Sequence, residues 1–291
     1  MSVTRATPNG HLKPRSGLPN AHLELPFKSR RSPVYGTHAM VASTQTLATQ
    51  AGYEILKKGG NAADAAIAVA ACLGVVEPAS TGIGGDCFCL FYDAKTKAVS
   101  GLNGSGRSPG NSSLDRVKAD IGEATTIPSN SGHAITVPGA AAGWFDTVKH
   151  FGSGKLAMSE ILEPAIMAAE DGFAVSTISA KLWEQGVEKL KASSPNYNEL
   201  LVDGKAPKEG ELFQNPGLAK TLRAISREGR DGFYKGEIAQ AIVDIVKYKG
   251  GLMTLEDLAN HQSQLVEPIS LDYEGVTVHE CPANGQGKLP Q

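Results

Sequence analysis

Hydrophobic and polar positions follow two different periods along this chain, and together they predict both helices and strands. Residues 62–76 are almost all small and apolar, which predicts a helix buried on all sides, with Asn61 as its N-cap and Pro78 after its end. We expect this central helix to lie against a sheet. Apolar runs at 87–92 and 99–103, separated by a polar turn, predict a β-hairpin.

Further patterns extend this prediction along the chain. Residues 38–42 form a short apolar run that predicts a buried strand, and Ser43 or Thr44 could cap the helix that follows. Helical spacing or capping residues predict helices at 140–151, 159–171, 181–192, 216–228 and 235–249, a capping box at 254–257, and strands at 269–271 and 276–279. The simplest fold class is a single layered α/β unit.

The first 34 residues differ from the rest of the chain. They are rich in Pro, Ser, Asn, Lys and Arg and have no apolar periodicity, so we predict a flexible leader at 1–34 and one folded unit at 35–291. The leader has no apolar h-region, which predicts a cytoplasmic protein. We interpret its short basic run at 28–31 as a solvated tail.

Composition is that of a globular chain. Of the 291 residues, 41% are hydrophobic and 20% are charged, and the net charge is −2. This balance predicts neither a nucleic-acid partner nor binding to an anionic membrane. The longest apolar stretch is too short to span a bilayer and contains Asp64.

The four cysteines do not indicate a disulfide framework or a metal site. Cys87 and Cys89 lie on the same face of one predicted strand, which is a poor geometry for a bridge, and two ligands are too few for zinc. We interpret Cys72, Cys87, Cys89 and Cys281 as buried thiols and predict no metal.

Searches for a catalytic nucleophile find none. The chain has no GxSxG elbow and no SxxK motif, and its histidines lack metal-ligand spacing. The aspartates at 64, 86, 171 and 257 form no evident acid/base pair in sequence. We therefore predict that no catalytic residue lies in this chain.

The glycine-rich loop at 81–86 has two interpretations. Its backbone amides could cradle an anion, because glycines let the chain approach a ligand closely. Its glycine spacing fits no nucleotide-binding motif, and it follows a helix and precedes a strand, which reverses the nucleotide-binding order. We interpret it as a tight buried turn beneath the hairpin.

Arg107 is the stronger candidate for a functional residue. It follows the second strand of the predicted hairpin, within a Gly-Ser-Gly-Arg-Ser-Pro segment at 104–109. A side chain there can face a pocket from a rigid frame, and a guanidinium can hold a carboxylate with two parallel hydrogen bonds. The alternative is an ordinary surface charge or a structural ion pair.

A series of short motifs resembles the γ-glutamyltranspeptidase family in order and approximate spacing. The matching segments are residues 36–42, 59–66, 82–86, 139–143, 164–166, 171–173, 233–236, 250–254, 257–258 and 268–269. Each motif alone is weak, but ten in register are specific. The resemblance covers residues 36–287.

The resemblance implies a fold, a chemistry and a partner. It implies an N-terminal nucleophile hydrolase fold, with two sheets between helix layers, in a precursor that cuts itself into a large and a small subunit. The N-terminal threonine of the small subunit would then transfer the γ-glutamyl group of glutathione or a related amide to water or an amine, with no cofactor. Arg107 matches the large-subunit arginine that grips the α-carboxylate of the glutamyl group.

Two departures from the family pattern leave alternatives open. Residues 104–109 differ from the common Arg-x-x-Ala-Pro segment and look closer to a branch that includes amidases and acylases. The chain also stops shortly after a motif at 282–287 that resembles the interior of the large subunit. We therefore expect the 291 residues to be inactive alone. The alternatives are a related amidase or acylase and a non-catalytic half-protein.

Overall fold

The computed structural model describes residues 33–285 together with two short strands before them. The strands are β1 (Arg5–Ala6), β2 (Leu12–Lys13), β3 (Cys87–Asp93), β4 (Ala98–Gly104), β5 (Phe173–Ala174), β6 (Leu212–Phe213), β7 (Gln264–Val266), β8 (Ile269–Tyr273) and β9 (Val276–Glu280). The helices are α1 (Thr46–Lys57), α2 (Ala62–Val76), α3 (Leu114–Ile121), α4 (Ala140–Phe151), α5 (Met158–Glu170), α6 (Thr177–Ser193), α7 (Pro216–Glu228), α8 (Asp231–Tyr234), α9 (Gly236–Tyr248) and α10 (Leu255–Ala259).

The chain divides into two compact units, residues 1–38 and residues 39–291. In the first unit, β1 pairs antiparallel with β2, with Arg5 opposite Lys13. The predicted flexible leader at 1–34 otherwise lies almost entirely outside the described residues. Its flexibility therefore stays a prediction.

Helix α2 is the centre of the second unit. Asn61 accepts hydrogen bonds from the backbone amides of Ala63 and Asp64, so the predicted cap and the predicted bounds are both confirmed. Most of the helix is buried, as its composition requires. The expected sheet contact was wrong, because α2 packs chiefly against α1, α5 and α4. Its many alanines allow this close approach of helices.

The predicted strand at 38–42 is absent. These residues have no regular structure, and all of them except the half-buried Val41 are exposed. Within the described residues no strand pairs with this run, and without a partner an apolar run gains no ladder hydrogen bonds. The following helix begins at Thr46, one or two residues later than expected, because Gln45 and not Ser43 or Thr44 caps it.

The predicted hairpin is confirmed as β3 and β4, which pair from Cys87 opposite Gly104 to Asp93 opposite Ala98. Strand β7 adds to the other edge of β4, so that the described residues form a three-stranded antiparallel sheet in the order β3-β4-β7. Helix α4 contacts both β3 and β4. This contact places the end of β4 beside the start of α4.

The later helices follow the predicted pattern closely. Helices α7, α9 and α10 lie where apolar spacing and the Thr254 capping box predicted them, and α6 begins four residues earlier than expected. Strands β8 and β9 form the predicted second hairpin. None of the helices in the described part of the chain is long and apolar enough to cross a membrane.

Candidate functional site

Arg107 lies three residues beyond the end of β4, and its side chain is exposed. Its backbone carbonyl accepts a hydrogen bond of 2.9 Å from the amide of Val137. Val137 belongs to the segment that leads into α4, so this second backbone segment is hydrogen-bonded to the one that carries Arg107. We call these two backbone segments, residues 104–107 and 137–140, the Arg107 frame.

Glycines make this frame possible because the two backbone segments approach very closely. A Cβ atom on Gly106 would lie 2.0 Å from the carbonyl oxygen of Val137, and one on Gly139 would lie 2.0 Å from that of Gly104. Neither distance leaves room for a side chain. Substituting either glycine would push apart the segments that orient Arg107.

The loop at 81–86 supports the same frame. The Asp86 carboxylate accepts a 2.7 Å hydrogen bond from the Gly106 amide, and the Gly85 carbonyl accepts from the amides of Gly139 and Ala140. A hydrogen bond from the Gly85 amide to the Gly82 carbonyl closes the predicted tight turn. The prediction that this turn is buried was wrong.

Residues 81–86 are instead exposed or half-buried, and a Cβ on Gly82 or Gly84 would meet no atom within 4 Å. Hydrogen bonds hold this turn in place although no other part of the described chain buries it. The Gly85 carbonyl and the Asp86 carboxylate bond to the Arg107 frame, and the Gly85 amide bonds within the turn.

Arg107 differs in its charge environment from three of the other described arginines, whereas Arg230, which lies over the Tyr234 ring, also forms no ion pair within the described residues. Arg116, Arg223 and Arg227 each form an ion pair, with Asp120, Glu170 and Glu228 respectively. Within the described residues no carboxylate lies within ion-pair distance of Arg107. An exposed guanidinium without a protein partner can bind the carboxylate of a small molecule through two parallel hydrogen bonds.

Three residues that contact the Arg107 frame or one another were not predicted to have a role: Tyr234, His261 and Arg230. Tyr234 is buried, donates a 2.7 Å hydrogen bond to the Pro138 carbonyl and accepts one of 3.0 Å from the Ala142 amide. Burial raises the pKa of Tyr234 to about 12, so it remains a phenol. The ring of His261 stacks on Tyr234, and the guanidinium of Arg230 lies 5.3 Å from the Tyr234 ring centroid.

The cysteines are free thiols, and only Cys72 is fully buried. The prediction of burial was therefore wrong for Cys87, Cys89 and Cys281, which are half-buried beside the sheet. Burial, followed by the charges of Cys89 and Cys281, raises the pKa of Cys87 to about 12. Such a thiol is a poor nucleophile. Within the described residues no group of three or more His, Cys, Asp or Glu side chains could hold a metal ion.

The four aspartates considered from the sequence do not come together as an acid/base pair. Asp64 accepts hydrogen bonds from the Asn61 and Ser153 amides, Asp171 ends α5, and Asp257 completes the capping box of α10 while also accepting from Gly110. The carboxylates of Asp64 and Asp257 are therefore engaged by backbone amides, whereas Asp171 contributes its own backbone amide to the end of α5. Of the four, Asp86 alone bonds to the Arg107 frame.

A broad groove of about 1130 Å³ lies between α6, α7 and α9 and is also lined by Thr81, Gly82 and Ile83 at the start of the glycine-rich loop. Arg107 does not line it. Charged residues of this groove form ion pairs with one another, among them Arg223 with Glu170 and Lys220 with Glu237. We therefore place the candidate site at Arg107 and not in this groove.

Comparison with solved structures defines the class of fold. The cephalosporin acylase of Bacillus halodurans is 40% identical with a TM-score of 0.82, covering 92% of this chain and 50% of that one. The γ-glutamyltranspeptidase of Helicobacter pylori is 30% identical with a TM-score of 0.80, covering 86% of this chain and 72% of that one. The chain has the mixed α/β fold of the N-terminal nucleophile hydrolases.

The family pattern of gamma-glutamyltranspeptidase matches residues 48–290, and the chain belongs to this family. The glutathione hydrolase-like YwrD proenzyme of Bacillus subtilis (strain 168) is 43% identical over 256 residues, covering 87% of this chain and 47% of that protein. The glutathione hydrolase proenzyme of Escherichia coli (strain K12) is 34% identical, covering 88% and 44%. The chain thus spans about half the length of these curated relatives.

Proposed function

We propose that these residues are the donor-binding part of a γ-glutamyl acyltransferase or glutathione hydrolase, in which Arg107 binds the α-carboxylate of the γ-glutamyl group. The observation that carries the proposal is the exposed Arg107 guanidinium, which has no ion-pair partner within the described residues and is mounted on a frame of closely packed glycines. Membership of the family supplies the class of reaction.

In the proposed mechanism, this chain contributes binding and orientation. Two parallel hydrogen bonds from Arg107 would fix the α-carboxylate, and the γ-carbonyl would then point along the extended glutamyl chain toward the nucleophile. Holding a reactant in one orientation removes much of the entropic cost of the reaction. The close contacts at Gly106 and Gly139 would fix the backbone on which Arg107 stands.

The nucleophile would come from a different part of the family's proenzyme. Within residues 33–285 the only hydroxyl hydrogen-bonded to a histidine ring is that of Thr37, which is exposed and pairs with the adjacent His38, and the Cys87 thiol has a pKa raised by burial. We propose a small subunit as the partner that supplies an N-terminal threonine. The cytoplasm remains the expected location.

The experiment is a binding titration with γ-glutamyl methylamide, whose only carboxylate is the α-carboxylate. Chemical-shift changes on the folded chain would report the affinity. We expect Arg107→Ala to weaken binding about 10- to 100-fold, because a bidentate charged pair contributes roughly 1.5–3 kcal/mol.

Arg227→Ala is the matched control, because Arg227 is also exposed but pairs with Glu228 on α7. This variant should bind with unchanged affinity. Equal loss in both variants, or no loss in Arg107→Ala, would contradict the proposal. If the protein were an acylase acting on amides without an α-carboxylate, Arg107→Ala would cause no loss of affinity.

A further inference from the structure

The exposed carboxylate of Asp86 holds the backbone directly before Arg107. Its Oδ1 atom accepts a hydrogen bond of 2.7 Å from the amide of Gly106, the residue that precedes the arginine. Within the described residues this amide has no other acceptor. A carboxylate binds a backbone amide more strongly than a neutral acceptor does. The bond therefore fixes the start of the residue that leads into Arg107.

Gly106 is also held by the segment that leads into α4. A Cβ atom on Gly106 would lie 2.0 Å from the Val137 carbonyl oxygen and 2.7 Å from the Thr136 hydroxyl oxygen. The Arg107 carbonyl in turn accepts a 2.9 Å hydrogen bond from the Val137 amide. The direction in which the chain enters Arg107 therefore depends on this close approach together with the bond to Asp86.

The position of Asp86 is set by the residue before it. The Gly85 carbonyl accepts hydrogen bonds of 3.0 Å from the Gly139 amide and 2.8 Å from the Ala140 amide, where α4 begins. Asp86 therefore reaches Gly106 from a turn that is itself bonded to the start of α4. A carboxylate held in this way can impose its geometry on the amide that it binds.

We propose that Asp86 is a positioning residue for the carboxylate that Arg107 binds. It acts through its hydrogen bond to Gly106, which sets the direction in which the Arg107 side chain leaves the frame, and it does not touch the ligand. The proposal rests on the function proposed above and adds a residue of the glycine-rich loop to that site. A guanidinium must be aligned to form two parallel hydrogen bonds, so a small change in its direction weakens binding.

Three substitutions at Asp86 separate its hydrogen bond from its charge. Asp86→Asn keeps an acceptor oxygen at the same distance from the backbone and removes the charge, whereas Asp86→Glu keeps the charge and adds a methylene group. The affinity of residues 1–291 for γ-glutamyl methylamide is measured in both variants and in Asp86→Ala. We expect Asp86→Ala and Asp86→Glu to weaken binding about three- to tenfold, and Asp86→Asn to recover most of the affinity that Asp86→Ala loses.

The loss should also depend on the presence of Arg107. Asp86→Ala combined with Arg107→Ala should bind about as weakly as Arg107→Ala alone, because Asp86 acts only through that arginine. Losses that add in the double variant would overturn the proposal. Binding that is retained in Asp86→Glu but lost in Asp86→Asn would overturn it as well, because the charge of Asp86 and not its bond to Gly106 would then matter.

The same titrations distinguish failure of this proposal from failure of the proposed function. Unchanged affinity in all three Asp86 variants, together with a loss in Arg107→Ala, would overturn the role of Asp86 and leave the proposed function standing. Absence of binding by the unsubstituted protein would overturn both.

A second measurement needs no ligand and reports the Asp86 bond directly. Hydrogen exchange at the Gly106 amide should be at least about tenfold faster in Asp86→Ala than in the unsubstituted protein. Asp272→Ala is the matched control, because Asp272 is also exposed and accepts a 3.1 Å hydrogen bond from the Gly275 amide in the β8–β9 turn. It should change neither this exchange rate nor binding. An unchanged exchange rate in Asp86→Ala would overturn the proposal.

Discussion

Tyr234 shows at the scale of one residue how the core supports the candidate site. Helix α4 begins at Ala140 behind Gly139, which has no side chain to cap it. The Tyr234 hydroxyl satisfies the Ala142 amide, one of the free donors of the first turn, and also the Pro138 carbonyl. A side chain from α8 therefore caps a helix that lies about 90 residues earlier in the sequence.

Tyr234→Phe should reduce the free energy of unfolding by about 1–3 kcal/mol, because it leaves a buried carbonyl and a buried amide without a partner. Chemical denaturation measures the change. Tyr248→Phe is the matched control, since Tyr248 is 71% exposed on α9 and should change stability by less than about 0.5 kcal/mol. Equal effects in the two variants would show that the bridging hydroxyl contributes nothing.

The site itself was only partly predictable from the sequence. Arg107 could be proposed because glycines and a proline after a strand mark an exposed segment, and its binding role stays a prediction. The roles of Tyr234 and His261 could not, because the hydroxyl of Tyr234 bonds across more than 90 positions in the chain and His261 acts only through its contact with Tyr234. A lone tyrosine or histidine carries no local signal for such contacts. Asp86 was noted, but its bond to Gly106 requires the fold.

At the scale of elements, capping explains why α2 begins where it does. Asn61 caps the helix with its side-chain oxygen, while its amide group donates a 2.7 Å hydrogen bond to the Phe151 carbonyl at the end of α4. One residue therefore fixes the start of the central helix and the end of a neighbour. This double role should make Asn61 more important than an ordinary cap.

Asn61→Ala should lower the free energy of unfolding by about 1–2 kcal/mol, at the upper part of the range for cap removal. Ser113→Ala is the control, because Ser113 caps α3, a helix with no buried residues. Loss of that cap should fray α3 without affecting the main unfolding transition. A larger effect at Ser113 than at Asn61, measured by denaturation, would contradict this view.

Helices and strands were predicted correctly where local sequence signals agree. The predictions failed where pairing between strands determines whether a strand forms. The apolar run at 62–76 with its cap gave the bounds of α2 correctly. The run at 38–42 looked equally apolar, but no described strand pairs with it. Strand β7 was missed because its three residues become a strand only through pairing with β4. Helix α3 was missed because it lacks a buried apolar face.

At the scale of the whole molecule, one face of β3 presents an apolar surface. The side chains of Phe88, Leu90 and Tyr92 alternate along the strand and are all exposed. Within the described residues, β3 is also an edge strand of its sheet. Exposed apolar patches at unpaired strand edges promote association.

We expect residues 1–291, produced as a separate polypeptide, to self-associate through this face. Leu90→Lys should shift the population toward monomer in sedimentation velocity, because a charge on the patch opposes its burial. Leu114→Lys, on the exposed helix α3, should have no effect. A monodisperse monomer at all concentrations of the unsubstituted protein would contradict this expectation.

The role of Arg107 is tested most directly by combining its substitution with a change in the ligand. The affinities of the unsubstituted protein and of Arg107→Ala are measured for γ-glutamyl methylamide and for 4-aminobutanoyl methylamide, which lacks only the α-carboxylate. We predict that Arg107→Ala weakens the first ligand about 10- to 100-fold and the second by less than about twofold. Equal losses for the two ligands would mean that Arg107 does not bind the α-carboxylate.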